Sequence, residues 1–172
     1  ARFGGLGRLA ELADGKRNAL RMSFQRFVLA ALLDEALTAA TVRLRAMSRG
    51  RFLLQRAAIA TDQRRAGGLD LEVFDLHTGQ GRSARTLSGG ESFLASLALA
   101  LGLADVVQAH AGGMRLDTLF IDEGFGSLDA ESLDLAMRAL EDLERGGRLV
   151  GIISHVAELR ERIDVRLEVA PS

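Results

Sequence analysis

Two short apolar segments separated by one amphipathic segment constrain the fold of this 172-residue chain more than any other feature. Residues 119–121 and 149–153 are apolar runs of strand length, and residues 130–145 between them repeat apolar side chains at helical spacing. Parallel strands need a crossover of this kind, and strands buried on both faces form continuous apolar runs. The sequence therefore predicts an α/β fold: a β–α–β unit whose parallel sheet is covered by helices on both faces.

The opening of the chain predicts two helices of unequal length. Residues 1–22 hold a short apolar series broken by glycines, which indicates a short helical piece followed by a polar turn. A long helix follows, with Ser23 as its N-cap and Gly50 as its stop. Its apolar positions recur by fours and threes, which indicates a core helix, with a partner-binding helix as the alternative.

A pair of strands and a loop are predicted next. Residues 51–60 and 69–76 have the character of strands, joined through a polar turn that contains residues 67–68. The alternation of apolar and polar residues slips at Phe74, which we interpret as a bulge. Residues 79–85 are predicted to form a flexible basic loop.

Composition indicates one packed domain, or one lobe of a larger one. The chain is 48% hydrophobic and 26% charged, which favours a packed core over disorder. Its net charge of -1 provides no bulk electrostatic argument for nucleic-acid binding. The absence of cysteine excludes disulfides and thiolate metal sites. Because no signal peptide opens the sequence and no run of about 18 apolar residues occurs, we expect a cytoplasmic protein without a membrane partner.

Polar residues follow both apolar strands at their carboxyl ends. Asp122 and Glu123 come after the first strand, and Ser154 and His155 come after the second. Ligands of open parallel sheets bind outside these strand ends, so the four side chains are expected to converge on one site. The plainer alternative is that strand ends are polar because they meet water, which explains an Asp-Glu pair less well.

The Asp-Glu pair also has a chemical rationale. An aspartate at a strand end can hold Mg²⁺ directly or through water, because Mg²⁺ prefers oxygen ligands and keeps several waters. A glutamate one residue later points elsewhere and can orient or deprotonate a nucleophilic water, which contributes about 10²–10⁴-fold to a rate. We therefore predict Asp122 as a metal ligand and Glu123 as a catalytic base.

Two glycines stand at the start of a long helix predicted at about residues 91–110. Ser88 and Glu91 match a capping box, which is a purely structural explanation of this segment. A capping box does not require Gly89 and Gly90, which each cost a helix up to about 1 kcal/mol. Bare amides at the positive end of a helix dipole suit a phosphate, and both interpretations can hold together.

Four segments of the chain resemble the motifs of ABC-type ATPases, and they occur in the expected order. Residues 87–91 read LSGGE, like the signature motif, and residues 119–123 resemble a Walker B segment. Residues 127–129 resemble a D-loop, and residues 154–155 resemble the segment that carries the switch histidine. Any one of these motifs alone is a weak signal, and the four together are a strong one.

Longer stretches are similar to the SbcC branch of the SMC-like ATPases over essentially the whole chain. They read TLSGGESFLASLALALGLAD, LFIDEGFGSLD and IISHVAELRERI. The resemblance implies the C-terminal lobe of an ABC-type P-loop ATPase head in residues 23–172. It also implies that residues 1–22 are the segment where a returning coiled coil enters the head.

In this family two heads dimerise with ATP between them, so the resemblance implies that each nucleotide contacts both heads. It assigns nucleotide contacts to Leu87, Ser88, Gly89, Gly90, Glu91 and Asp129. Ser88 and the two glycines contact the γ-phosphate bound on the opposite head, and Asp129 lies at the dimer interface. Asp122 serves Mg²⁺, Glu123 polarises the attacking water, and His155 reaches the γ-phosphate as a second catalytic residue.

The phosphate-binding loop of such a head is missing from this sequence. No G-x-x-x-x-G-K-[ST] segment occurs, and the only Gly-Lys pair, Gly15-Lys16, is followed by Arg17. In SbcC relatives this loop lies in an N-terminal segment, separated by a long coiled coil. We therefore expect the chain to be inactive alone and to become an ATP hydrolase with its N-terminal half.

The resemblance implies a component of an ATP-dependent DNA nuclease complex that acts on DNA ends and double-strand breaks. The implied partners are the N-terminal half of the head, a second head, an SbcD-like nuclease and DNA. A structural DNA tether of the SMC or RecN kind is the alternative, and a transporter ATPase is a weaker one. Transporter ATPases usually carry glutamine where this chain has Glu91.

Four other polar residues have plain structural interpretations. His77 and His110 are expected to be solvated or to cap helices or strands. Arg82 and Arg85 are expected to be solvated, with an approach to DNA or nucleotide as the alternative.

Overall fold

The chain forms an antiparallel sheet, a parallel strand pair and two long helices that pack against each other. The computed structural model describes residues 2–16, 22–57, 69–112 and 115–169. The helices and strands are α1 (Arg2–Ala13), α2 (Phe24–Met47), β1 (Phe52–Arg56), β2 (Leu71–Asp75), β3 (Gln80–Ser83), α3 (Gly89–His110), β4 (Thr118–Asp122), α4 (Ala130–Arg145), β5 (Leu149–Ile153) and α5 (Ala157–Arg162). Strands β1, β2 and β3 are antiparallel, and β4 and β5 are parallel. The predicted α/β class and parallel pairing are confirmed.

Helix α2 starts at the predicted cap and ends earlier than predicted. The Ser23 side chain accepts a hydrogen bond from the Arg26 backbone N–H, which confirms the N-cap. The helix ends at Met47, and the Gly50 N–H donates to the Arg45 carbonyl at 2.6 Å. Arg49 takes the left-handed conformation (φ 53°) where such a terminus usually has glycine. The buried residues of α2 confirm a core helix, and they are Ala30, Ala36, Leu37, Ala40, Leu44 and Met47.

The two core helices α2 and α3 touch through their backbones. A Cβ atom added at Gly102 of α3 would lie 2.4 Å from the Ala36 carbonyl oxygen and 2.7 Å from the Ala40 nitrogen. Length and composition alone would let α3 span a membrane. In this fold its residues Leu94, Ala98 and Leu101 are buried in the core instead.

Strand β2 pairs without interruption, so the predicted bulge at Phe74 is wrong. Phe74 pairs with Leu53, and Asp75 pairs with Phe52, in a continuous register. The apparent slip arises because the inward position after Val73 is occupied by Asp75, which is only 2% exposed. The Arg51 guanidinium donates to this carboxylate at 2.8 Å and lowers the pKa of Asp75 to about 2.

The predicted basic loop is also wrong, because residues 80–83 form β3 and a single 3-10 turn follows at 84–86. Gly79 closes the preceding turn with φ 68°, a conformation that favours glycine. The β3 segment reads QGRS, so it lacks the apolar alternation by which a strand is predicted. Residues 58–60 of the predicted first strand and the turn at 67–68 lie outside the described residues.

The β–α–β unit forms as predicted, but one face of its strands is open in the described part of the chain. The buried residues of α4 are Leu133, Ala136, Met137, Leu140 and Leu143. Phe120, Leu149 and Ile153 are 69%, 64% and 56% exposed. The expectation that helices cover both faces is therefore wrong for the described residues.

Candidate functional site

The carboxyl ends of β4 and β5 bring Glu123 and His155 together. The Glu123 N–H donates to the Ile153 carbonyl at 2.9 Å, which extends the pairing of the two strands past Asp122. His155 Nδ1 then lies 2.9 Å from Glu123 Oε2, with the side chains 79% and 50% exposed. Ser154 instead accepts the Val156 N–H with its side chain. A carboxylate and an imidazole in contact at this edge can take part in proton transfer.

The Glu123 backbone adopts a conformation that is uncommon for a residue with a side chain. Its φ is 59°, and the following Gly124 has φ 97°. A Cβ at Gly124 would lie 2.3 Å from the Phe93 ring. Phe93 of α3 packs edge-on against the buried Phe125, with ring centroids 4.8 Å apart. Strained backbone of this kind is typical of functional sites, and here packed aromatic rings hold it in place.

The sequence does not indicate that Phe93 and Phe125 support this site, because nothing distinguishes them from ordinary core phenylalanines. The sequence shows a glycine directly after the Asp-Glu pair, which is a signal for an unusual backbone at that point. Nothing local indicates that Phe93, far upstream in α3, supplies the surface against which Gly124 packs.

The start of α3 is a complete capping box. The Ser88 N–H donates to Glu91 Oε2 at 2.9 Å, and the Glu91 N–H donates to Ser88 Oγ at 3.3 Å. Leu87, just before it, packs half-buried against the core. Ser88 and Gly89 are exposed, so the hydroxyl and the first bare amide of the helix face solvent. This arrangement can receive an anion at the positive end of the helix dipole.

The two glycines of this turn have different reasons to be glycine. A Cβ at Gly90 would lie 2.7 Å from the Ser127 carbonyl oxygen, so packing alone excludes a larger residue. A Cβ at Gly89 would meet only the Ser127 Cβ at 3.4 Å, an ordinary contact. Close approach of an anion to the backbone is therefore needed to explain only Gly89.

Charges on the antiparallel sheet face the capping box. Glu91 Oε1 lies 3.1 Å from Arg82 Nη2 and 3.8 Å from Arg51 Nη1. Burial raises the pKa of Glu91, but the hydrogen bond from the Ser88 N–H and the charge of Arg82 outweigh it and lower the pKa below its usual value. Arg82 is 32% exposed, but its Nε and Nη2 atoms are buried, so the expectation of a solvated arginine holds only for part of the side chain. Arg85 is exposed, as expected.

Asp129 is the N-cap of α4. Its carboxylate accepts the Ser132 N–H at 2.8 Å and the Ser132 hydroxyl at 3.1 Å. These hydrogen bonds lower the pKa of Asp129. The side chain is exposed, and the interface role that the resemblance implies for it stays a prediction.

A cleft of about 400 Å³ is lined by some of the candidate residues and not by others. It lies between the end of α2, the start of β1, the end of β2 and the starts of α3 and α4. Its polar lining includes Ser48, Arg49, Arg51, His77, Ser88, Glu91, Ser127, Asp129 and Ser132. Among the described residues, the lining does not include Asp122, Glu123 or His155. The turn at residues 125–127 connects the two sets of residues, and a Cβ at Gly126 would lie 3.9 Å from His155 Nε2.

Both remaining histidines have structural roles. His77 is exposed, and its N–H donates to Asp75 Oδ1 at 2.9 Å. His110 Nδ1 lies 2.9 Å from the Val106 carbonyl at the end of α3.

Asp122 is the candidate metal ligand at the end of β4. In the described part of the chain no group of three or more His, Cys, Asp or Glu residues could hold a metal ion. One exposed carboxylate still fits Mg²⁺, because Mg²⁺ takes one or two carboxylates and completes its shell with waters and substrate phosphates.

The fold defines the class of protein. A chain from a structural study of ATP-driven dimerisation and DNA-stimulated activation of SMC ATPases is similar with a TM-score of 0.64 and 15% identity, over 86% of this chain and 83% of that chain. The Smc head domain with a coiled coil and joint from Pyrococcus yayanosii is similar with a TM-score of 0.54 and 18% identity, over 77% of this chain and 24% of that chain. The chain has the fold of an SMC-type ATPase head.

The sequence relatives define the family within that class. A family model described as SbcC/RAD50-like, Walker B motif, matches residues 58–142. The SbcC component of the nuclease SbcCD from Vibrio cholerae is 58% identical over 164 residues, and that from Staphylococcus aureus (strain JH9) is 48% identical over 162 residues. The chain belongs to the SbcC family of SMC-like ATPases. These matches cover 95% and 94% of the chain and 16% of the length of each relative.

Proposed function

We propose that this chain is the C-terminal half of the ATPase head of an SbcC-like protein in an ATP-dependent DNA nuclease complex. The observation that carries the proposal is the contact between Glu123 and His155 beside Asp122, at the carboxyl ends of two parallel strands. The curated relatives are named as components of the nuclease SbcCD, which supports the nuclease complex over a DNA tether without a nuclease.

In the proposed reaction Glu123 orients and polarises the water that attacks the γ-phosphate of ATP. His155 uses Nδ1 to hold Glu123 Oε2, which leaves Nε2 free to contact the γ-phosphate. The two side chains thus place a proton acceptor and a phosphate contact at one edge of the sheet. Asp122 holds Mg²⁺, which when bound offsets the negative charge of the phosphates.

The capping box acts on the nucleotide of a second head. Ser88 Oγ and the Gly89 amide are exposed at the positive end of α3, where they can contact a γ-phosphate presented from outside. Leu87, Gly90 and Glu91 hold this turn in shape. Asp129 lines the same cleft and is proposed to face the second head.

The N-terminal half of the head supplies the phosphate-binding loop and covers the open face of the parallel strands. Phe120, Leu149 and Ile153 expose apolar surface there. Val165 and Leu167, in the extended segment after α5, are 90% and 97% exposed. Exposed apolar side chains grouped on one face of a strand pair are typical of an interaction site.

The chain alone is proposed to bind ATP weakly. A helix N-terminus contributes at most about 2 kcal/mol toward an anion, whereas micromolar binding needs about 8 kcal/mol. The complete head dimerises around ATP and works on DNA ends with an SbcD-like nuclease in the cytoplasm, without a membrane partner.

The test uses the full-length protein that contains this segment, purified with its nuclease partner. We expect degradation of linear duplex DNA that depends on ATP and Mn²⁺ and is lost with Glu123→Gln. A tether predicts ATP-dependent DNA retention with no nuclease copurifying, and that result would overturn the nuclease function. Glu158→Gln, an exposed acid in α5, serves as the matched control.

A further inference from the structure

The two carboxylate oxygens of Glu91 perform different tasks. Oε2 accepts the Ser88 N–H at 2.9 Å and so closes the capping box. Oε1 faces the antiparallel sheet, 3.1 Å from Arg82 Nη2 and 3.8 Å from Arg51 Nη1. One side chain therefore connects the start of α3 to the antiparallel sheet.

The arginines in this connection are held in place by other contacts. Arg51 donates to Asp75 Oδ2 through both Nε and Nη2, at 3.1 Å and 2.8 Å. The guanidinium carbons of Arg51 and Arg82 lie 4.6 Å and 5.3 Å from the centre of the Phe52 ring. Phe52 is itself buried. The position of both charges is thus set by the antiparallel sheet.

Arg82 also stands out by its desolvation. Its Nε and Nη2 atoms are buried, and neither has a hydrogen bond of good geometry. Burying a guanidinium is unfavourable unless an opposite charge lies close. The only carboxylate within 4.0 Å of it among the described residues is that of Glu91.

We propose that Arg82, supported by Arg51, is a positioning residue for the Ser88 turn. The proposal rests on the proposed function of that turn in contacting the nucleotide of a second head. Arg82 attracts Oε1 and so holds the Glu91 side chain in the orientation that caps Ser88. A glutamine at position 91 could accept the Ser88 N–H, but its neutral amide would leave the two buried nitrogens of Arg82 without a counter-charge. The arginine therefore accounts for a glutamate at this position.

The first test measures hydrogen exchange at residues 88–91 in the full-length protein without nucleotide. We expect Arg82→Met to speed exchange about fivefold, the effect of losing a partly buried ion pair worth about 1 kcal/mol. Arg82→Lys should restore most of the protection because it keeps the charge. Arg85→Met, which removes an exposed arginine three residues away, is the control and should change nothing. Exchange that is equal in Arg82→Met and Arg85→Met would overturn the proposal.

The second test separates positioning from general stability. ATP-dependent head dimerisation by Arg82→Met should need about fivefold more ATP, while nucleotide binding by single heads stays at the parent value. Glu91→Gln should have a similar effect, and the double variant should be no worse than either alone. Additive losses, or a matching loss of single-head binding, would show that Arg82 acts independently of Glu91. If the parent itself failed to dimerise with ATP, the proposed function would fail, and the exchange measurement would still decide the role of Arg82.

Discussion

His155 Nδ1 lies 2.9 Å from Glu123 Oε2, although the two residues follow different strands and are separated in sequence by the whole of α4. Both side chains are at least half exposed, so the contact adds little to stability. Its value is geometric, since it brings a carboxylate and an imidazole together at one edge of the sheet. The left-handed backbone of Glu123 is consistent with a position kept for function.

Glu123→Gln should lower ATP turnover of the complete head by about 10²–10⁴-fold, because an amide cannot accept a proton from the attacking water. ATP-dependent dimerisation should persist, since glutamine has nearly the same shape and can still accept a hydrogen bond. Steady-state phosphate release and sedimentation with ATP measure the two properties. Turnover at the parent rate would show that Glu123 is not the base.

Gly89→Ala and Gly90→Ala should separate the two reasons for glycine at the start of α3. Gly90→Ala should destabilise the head by about 1–3 kcal/mol, because its Cβ would lie 2.7 Å from the Ser127 carbonyl. Gly89→Ala should leave thermal stability unchanged or slightly higher but weaken ATP-dependent dimerisation, since its methyl group blocks the approach of a phosphate. Normal dimerisation by Gly89→Ala would contradict the proposal that a phosphate approaches the backbone at Gly89.

Gly102→Ala should destabilise the assembled head by about 1–3 kcal/mol, because the added methyl group forces α2 and α3 apart. The reason is local, since the new Cβ would lie 2.4 Å from the Ala36 carbonyl oxygen. Gly7→Ala in α1, where nothing lies within 4 Å, is the matched control and should be neutral or stabilising. Thermal unfolding measures both variants, and an equal response would contradict the close packing.

The ion pair between Asp75 and Arg51 should make stability depend on pH in the acid range. The pKa of Asp75 is lowered from 3.8 to about 2 by the hydrogen bonds from Arg51, so its ionised form is favoured in the folded state. Its contribution is therefore present above pH 3.8 and is lost as the pH falls through about 2. Asp75→Asn should destabilise the head at pH 7 and approach the parent near pH 2, as measured by urea unfolding. A constant difference across this range would contradict the pairing.

The sequence by itself determined the features that depend on neighbouring residues. The caps at Ser23 and Ser88 and the bounds of α4 and β5 were predicted correctly, because capping and helical periodicity act within one or two turns of chain. The resemblance to ABC-type ATPases came from four local motifs for the same reason, and longer stretches of sequence carried the resemblance to the SbcC family. The roles assigned to the individual site residues stay predictions.

Only the tertiary structure decided which distant residues meet. Four features depend on segments whose own sequences carry no sign of their partner. They are the pairing of β3, the inward position of Asp75, the contact of Gly90 with Ser127 and the burial of two Arg82 nitrogens beside Glu91. The open face around Phe120 is likewise invisible in an apolar strand, because hydrophobicity shows that a surface should be covered but not which segment covers it. Contacts of this kind depend on packing across the whole fold, and local chemistry does not specify them.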